Sequence, residues 1–276
     1  MRKLTWLHVV LFIATIFSTI LAGMLQKGID PLQQPRRILE GLPFALTLMT
    51  ILLSHELAHY LTAARHRTVA TLPYFIPAPS LFGTFGAFIK MKSPITTRTA
   101  LIDIGASGPI CGFVVSVVAV VIGLFYSASI PVAGGKGIIL GDSMLFAVLT
   151  KLIVGTQHEG YDVLLNPVAV AGWIGFFVTS MNLLPIGQLD GGHIVYALLN
   201  KKHPWFSRGL VFSLGLMGVM YWDGWIVWAV LLLVMGVNHP PVLFDNIPLH
   251  PSRKKIALAS LIIFIATFMP QPFKIN

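Results

Sequence analysis

Apolar runs recur from one end of this 276-residue chain to the other, at 4–25, 42–64, 100–126, 166–200, 205–221, 225–238 and 255–270. A helix needs roughly 20 apolar residues to cross the hydrocarbon core of a bilayer, and a helix satisfies its own backbone hydrogen bonds there. The fold class expected is an all-α membrane protein, a polytopic bundle of six or seven transmembrane helices, with the run at 255–270 deciding between the two counts. Composition agrees, because 55% hydrophobic and 11% charged residues with a mean hydropathy of +0.81 exclude an ordinary soluble domain.

The formal charge of +9 could suggest a nucleic-acid partner, but the basic residues sit in the connections between apolar runs, not in one block or on one helix face. Topology accounts for them. With the N-terminus in the cytoplasm, thirteen of the nineteen Lys and Arg fall on the inner side, including Arg2, Lys3, Arg65, Arg67, Lys90, Lys92, Lys201 and Lys202, whereas Lys27, Arg36, Arg37, Lys136, Lys151 and Lys274 fall outside. The start of the chain reads as a retained helix, since its apolar run is long for a signal peptide and lacks a sharp cleavage site. Cys111 is the only cysteine, which excludes an intrachain disulfide. The longest outer connection, 127–165, is too short for most independent domains. One membrane domain over 1–276 is expected.

Within the second run, ILLSHELAHYL (51–61) carries ionisable residues where each is costly, which makes them a functional hypothesis by default. His55 and His59 are four residues apart and share one helix face, so their imidazoles can converge on one ion. Glu56 follows the first histidine, where a carboxylate can take a proton from a metal-activated water without binding the metal itself. The pattern is H-E-x-x-H, and with nine histidines and three glutamates in the chain it rarely arises by composition.

Two histidines leave a catalytic zinc one protein ligand short. Asp190, in MNLLPIGQLDGGHIVYALLN (181–200), is the preferred third ligand: the apolar segment that holds it breaks around Pro185 and Gly187 and resumes after Gly191 and Gly192. Broken backbone at membrane depth is tolerated where protein buries it or a watery cavity meets it. Asp-Gly-Gly is also ordinary turn chemistry, in which the aspartate caps the next helix. His193 competes with Asp190 for the third place, and otherwise supports the ligands or fills the core. Asn182, just before the break, can donate to and accept from a substrate peptide, or bond between helices.

HELAH together with NLLPIGQLDGG (182–192) resembles the site-2 protease family of intramembrane zinc metalloproteases, whose patterns are H-E-x-x-H and N-x-x-P-x-x-x-L-D-G. Asn182, Pro185, Leu189, Asp190 and Gly191 match the second pattern. The resemblance covers a catalytic core of about 42–200, leaving 1–41 and 201–276 as accessory helices, and implies a compact form without PDZ or CBS domains. It implies His55, His59 and Asp190 as ligands of Zn2+, Glu56 as general base, and an active site within the membrane towards the cytosol. A bacterial cytoplasmic membrane is the expected location.

GTFGAFIKMKSPI (83–95) reads as a short, turn-rich β segment, and the family has a membrane-associated β segment there. An exposed strand edge accepts an extended peptide by strand addition, which makes Gly86 and Phe88 candidate substrate contacts. Gly108 and Gly112, at GxxxG spacing in the third run, read as a helix-packing surface. The function implied is cleavage of peptide bonds within or near the transmembrane helices of membrane-anchored proteins. Expected partners are the lipid bilayer and a single-span substrate, for which relatives suggest an anti-sigma factor, a tethered transcription regulator or a signal-peptide remnant; no nucleic acid is expected. A catalytically silent zinc-binding scaffold and a metal transporter are the alternatives. A transporter should carry ionisable residues across the bilayer, yet His8 stands alone and His158, His203, His239 and His250 fall in connections.

Overall fold

The computed structural model describes residues 5–131, 138–156, 158 and 160–275; Arg2, Lys3, Lys136 and Glu159 lie outside them. Most of the described chain is helical. Three helical stretches are long and apolar enough to cross a membrane: Trp6–Gln26, Pro35–Arg65 and Arg98–Phe125. These match the first three apolar runs. The first is α1, Trp6–Gln26, and the second contains a 3-10 turn, Pro35–Gly41, followed by α2, Leu42–Arg65. The third is α3, Arg98–Phe125, whose Pro109 sits inside the helix.

The later runs are shorter helices: α5 (Pro167–Asn182), α6 (Asp190–Leu199), α7 (His203–Met220), α8 (Gly224–Met235) and α9 (Pro251–Thr267). The connection between α3 and α5 holds more order than its sequence suggests. It contains the strands β3 (Ala128–Pro131), β4 (Ile138–Leu140) and β5 (Tyr161–Leu164) and the short helix α4 (Met144–Ile153).

The chain divides into two compact units, and the division passes through α3, α4 and α5. The first comprises 1–93, 111–132 and 148–175. There α1 and α2 cross closely: a Cβ on Gly23 would meet the Gly41 carbonyl oxygen at 2.7 Å. The strands β1 (Tyr74–Pro77) and β2 (Thr84–Phe88) pair antiparallel, with Tyr74 opposite Phe88 and an irregularity between Phe75 and Pro77. This hairpin rests on α1. His8 stacks on Tyr74 at 4.1 Å, Phe12 meets Phe75 edge-on at 5.0 Å, and the Ser18 hydroxyl donates to the Gly83 carbonyl at 2.6 Å. Further along, small residues let α3 and α5 approach: a Cβ on Gly172 would meet the side chain of Val120 at 2.7 Å. β3 and β5 form an antiparallel pair in the same unit.

The second unit comprises 94–110, 133–147 and 176–276. Its core packs Leu101 and Ile102 of α3 with Tyr196 and Ala197 of α6, and Ala106 with Leu183, Ile194 and Ala257. Arg98 donates to the Ala197 carbonyl at 2.6 Å, and Arg253 of α9 forms a two-pronged pair with Asp103 at 3.0 and 2.7 Å. α7 and α8 make a hairpin around Tyr221–Asp223, where Gly218 faces Ile226. β4 pairs with a strand near the end of the chain, β6 (Phe273–Ile275).

Candidate functional site

In the first unit, α2 places His55, Glu56 and His59 on one buried stretch, with exposures of 4%, 7% and 6%. Four-residue spacing stacks the imidazoles, so that their Nε2 atoms lie 3.1 Å apart with ring planes at 67°. Tetrahedral coordination with metal–nitrogen bonds of about 2.0–2.1 Å puts ligand nitrogens roughly 3.3 Å apart. The pair therefore already has the separation that one tetrahedral ion needs.

Gly112 explains how His55 finds room. A Cβ there would lie 3.0 Å from His55 Nδ1 and 3.3 Å from its Cβ, so the backbone of α3 passes against the imidazole. The sequence marks Gly112 only as a packing glycine; that its packing partner is a candidate ligand was not legible. Gly86 lies at the hairpin irregularity with φ +97, and its Cβ position is open. Phe88, at the end of β2, stacks on Tyr74 at 5.6 Å while remaining 46% exposed.

In the second unit, Asn182 ends α5, and the chain turns through Leu183–Leu189 before Asp190 begins α6. The turn is built from tight hydrogen bonds, among them Ile186 N–H to the Leu184 carbonyl at 2.8 Å. Leu189 is the N-cap, so Asp190 occupies the first turn of α6 and not the capping position that ordinary Asp-Gly-Gly chemistry would give it. The helix dipole favours a carboxylate there. Both following glycines have a steric reason. A Cβ on Gly191 would collide with the Leu183 carbonyl, and one on Gly192 with the carbonyls of Gly187 and Ile186. Gly187 itself has φ +56, which glycine adopts without strain. Gly105 of α3 packs on the same turn, its Cβ position 3.0 Å from the Asp190 carbonyl oxygen and 3.0 Å from His193 Cβ.

A further polar cluster, which the sequence scatters over 46 residues, surrounds His193. Its Nδ1 lies 2.7 Å from Nε2 of His239, and the His239 ring is stacked on Tyr196 at 4.1 Å. His203 is fully buried beside them, 6.0 Å from His239, with Nε2 3.2 Å from the Ser207 hydroxyl. Burial lowers the pKa of the His239 imidazole, which lies in the connection after α8. Nothing in the sequence joined these three histidines, because the link is tertiary.

Residues 43–221 match the model of peptidase family M50. Among curated proteins, the chain is 29% identical over 242 residues to "Probable zinc metalloprotease EGY2, chloroplastic" of Arabidopsis thaliana, covering 85% of this chain and 42% of that protein. It is 31% identical over 237 residues to "Probable zinc metalloprotease EGY1, chloroplastic" of the same plant, covering 83% and 43%. A rice relative, "Probable zinc metalloprotease EGY3, chloroplastic" of Oryza sativa subsp. japonica, is 26% identical over 250 residues, covering 83% of this chain and 42% of its own length. The chain thus spans less than half the length of these relatives. With the family model covering the helix that bears HELAH and the turn that bears Asp190, the chain belongs to peptidase family M50.

Proposed function

We propose that this protein is a zinc-dependent protease that cuts membrane-anchored polypeptides within or close to their transmembrane helices. The observation that carries the reading is the buried His55–Glu56–His59 turn, whose two Nε2 atoms are already spaced for a single tetrahedral ion. His55, His59 and Asp190 would hold Zn2+. Support for Asp190 comes from its place in the first turn of α6. Zinc also stands in the names of the M50 relatives.

When bound, zinc supplies Lewis acidity to a scissile carbonyl and to the attacking water. Glu56 takes the proton from that water and delivers it to the nitrogen of the departing amine. Asn182, at the end of α5, offers an amide to the substrate backbone. Gly86 and Phe88 belong to a two-stranded sheet, whose edge suits an extended peptide by strand addition. The substrate is a single-span protein that unwinds locally, since helical hydrogen bonds otherwise hide its carbonyls.

Three helices have the length to cross a bilayer; the proposed bundle of six or seven spans adds α5 with α6, then α7, α8 and α9, with the β1–β2 hairpin at the membrane. It is proposed as one membrane domain with its catalytic core at about 42–200. HELAH lies towards the basic, cytosolic or equivalent side. The location proposed is a bacterial cytoplasmic membrane; the relatives carry the word chloroplastic in their names.

The test is cleavage of a panel of single-span substrates by purified protein in detergent, with zinc content measured for wild type, Glu56→Gln and Asp190→Ala. Cleavage by wild type alone is expected, with zinc retained in Glu56→Gln and reduced in Asp190→Ala. Zinc binding with cleavage that Glu56→Gln does not abolish would favour a zinc-binding scaffold. Absence of zinc after reconstitution would overturn the protease reading.

A further inference from the structure

α2 ends in a Schellman turn. The Thr68 N–H bonds to the Ala63 carbonyl at 2.9 Å and the Arg67 N–H to the Ala64 carbonyl at 3.1 Å, which puts Arg67 just after the C-cap, His66. Its φ is +55. Glycine ordinarily fills this left-handed position, because a Cβ is strained there. The chain holds an arginine instead, exposed and, among the described residues, in no ion pair. Strain kept at an exposed side chain calls for a reason outside the protein's own packing.

Three more cations share the place. Arg65 is the last residue of α2. Beyond Arg67 the backbone enters a short antiparallel ladder, in which Ala70 bridges Met91, the Thr71 N–H bonds to the Lys90 carbonyl at 3.0 Å, and the Lys92 N–H bonds to the Val69 carbonyl at 2.7 Å. Lys90 and Lys92 are thereby brought from the far side of the β1–β2 hairpin to the end of α2, and all four basic side chains are exposed. Buried Ala63, Thr68, Ala70 and Thr71 anchor the backbone that carries them. Exposed apolar side chains accompany the cations: Leu61, one turn before Arg65 on the same face of α2, Val69 across the ladder from Lys92, and Phe88, two residues before Lys90. Cations with apolar neighbours, at the end of a stretch long and apolar enough to cross a bilayer, suit the boundary between acyl chains and phosphates.

We propose that Arg65, Arg67, Lys90 and Lys92 form a seat for the phosphate headgroup of an anionic phospholipid, and that arginine is kept at the strained position 67 to supply one of its charges. The seat fixes the end of the helix that bears HELAH against the bilayer surface. It depends on the membrane placement proposed above and on neither zinc nor cleavage.

A local probe tests it: a fluorophore on Val69→Cys in a Cys111→Ala background, in mixed micelles, quenched by brominated phosphatidylglycerol or by phosphatidylcholine with the same chains. Quenching is expected to favour phosphatidylglycerol by about fivefold or more, and the preference should shrink at about 0.5 M salt. Arg67→Lys should keep the preference. Arg67→Gln, which retains the strained Cβ without the charge, and Arg67→Gly, which relieves the strain, should each reduce it by about threefold or more. Arg67→Gly should do so with a thermal midpoint equal to or above that of the parent. Equal quenching by the two lipids in the parent would overturn the proposal. So would a preference that Arg67→Gln and Arg67→Gly leave intact, and with a lowered midpoint in Arg67→Gly that result would assign the arginine to the helix end. A nitroxide-labelled single-span peptide with acidic flanks gives the last arm: if it quenches selectively where the two lipids quench alike, the cations serve a polypeptide and the lipid seat is excluded.

Discussion

Glu56 shares its buried turn with the two candidate ligands His55 and His59 and is the only glutamate of the sequence within an apolar run, Glu40 being paired with Arg37 at 2.6 Å and Lys27 at 3.6 Å. Replacing it by glutamine keeps the volume and removes the base, so turnover should fall by about 10²–10⁴-fold with bound zinc unchanged, as read by cleavage rate and metal analysis. The four-residue spacing of the candidate ligands His55 and His59 was legible, because spacing on a helix is a local property. The tertiary contact of His193 with His239 was not.

Two glycines carry the elements that hold the site, for different physical reasons. Gly112 lets α3 run against the imidazole of His55 at a separation already tight for a Cβ, so alanine asks His55 to move a few tenths of an ångström and valine asks for more. Gly112→Val should therefore lose zinc affinity ahead of global stability, and Gly112→Ala should lie between it and the wild type in a metal titration. At Gly191 the obstacle is the Leu183 carbonyl, which belongs to the turn that delivers Asp190. Backbone yields less readily than a side chain, and Gly191→Ala should cost about 1–3 kcal/mol or more, lowering the thermal midpoint along with zinc content. The break between α5 and α6 was legible from Pro185 and the glycines, because turn formers interrupt an apolar run. Why two glycines follow Asp190 was not, since the clash is with residues folded back upon them. Equally hidden was the order in 127–165: β3 pairs with β5, more than thirty residues on, and β4 with β6, which lies near the far end of the chain. Short strands paired at long separation leave no periodic trace.

For the molecule as a whole, hydropathy makes the membrane legible, and charge supplies an orientation to test. α3 has 28 residues, and at 1.5 Å per residue it is about 42 Å long, enough to cross a hydrocarbon core of about 30 Å with polar ends to spare. Its N-terminal end begins at Arg98 and follows a segment bearing Lys90 and Lys92, while its C-terminal end runs into Tyr126 and Ser127. α2 ends in Arg65, with Arg67 just beyond, so basic residues mark the exit of one long helix and the entry of the next. The positive-inside rule counts such residues when they lie close to the ends of spans. This arrangement is open to a direct test because Cys111 is the single cysteine. In a Cys111→Ala background, cysteines at Arg67, Lys92 and Tyr126 would be probed in intact cells with a membrane-impermeant maleimide. Tyr126→Cys should react at once, whereas Arg67→Cys and Lys92→Cys should react only after the membrane is permeabilised. Labelling of Lys92→Cys and Tyr126→Cys from the same side would mean that α3 does not span. Reversed labelling of all three would keep the spans and invert the orientation, moving HELAH to the opposite face of the membrane.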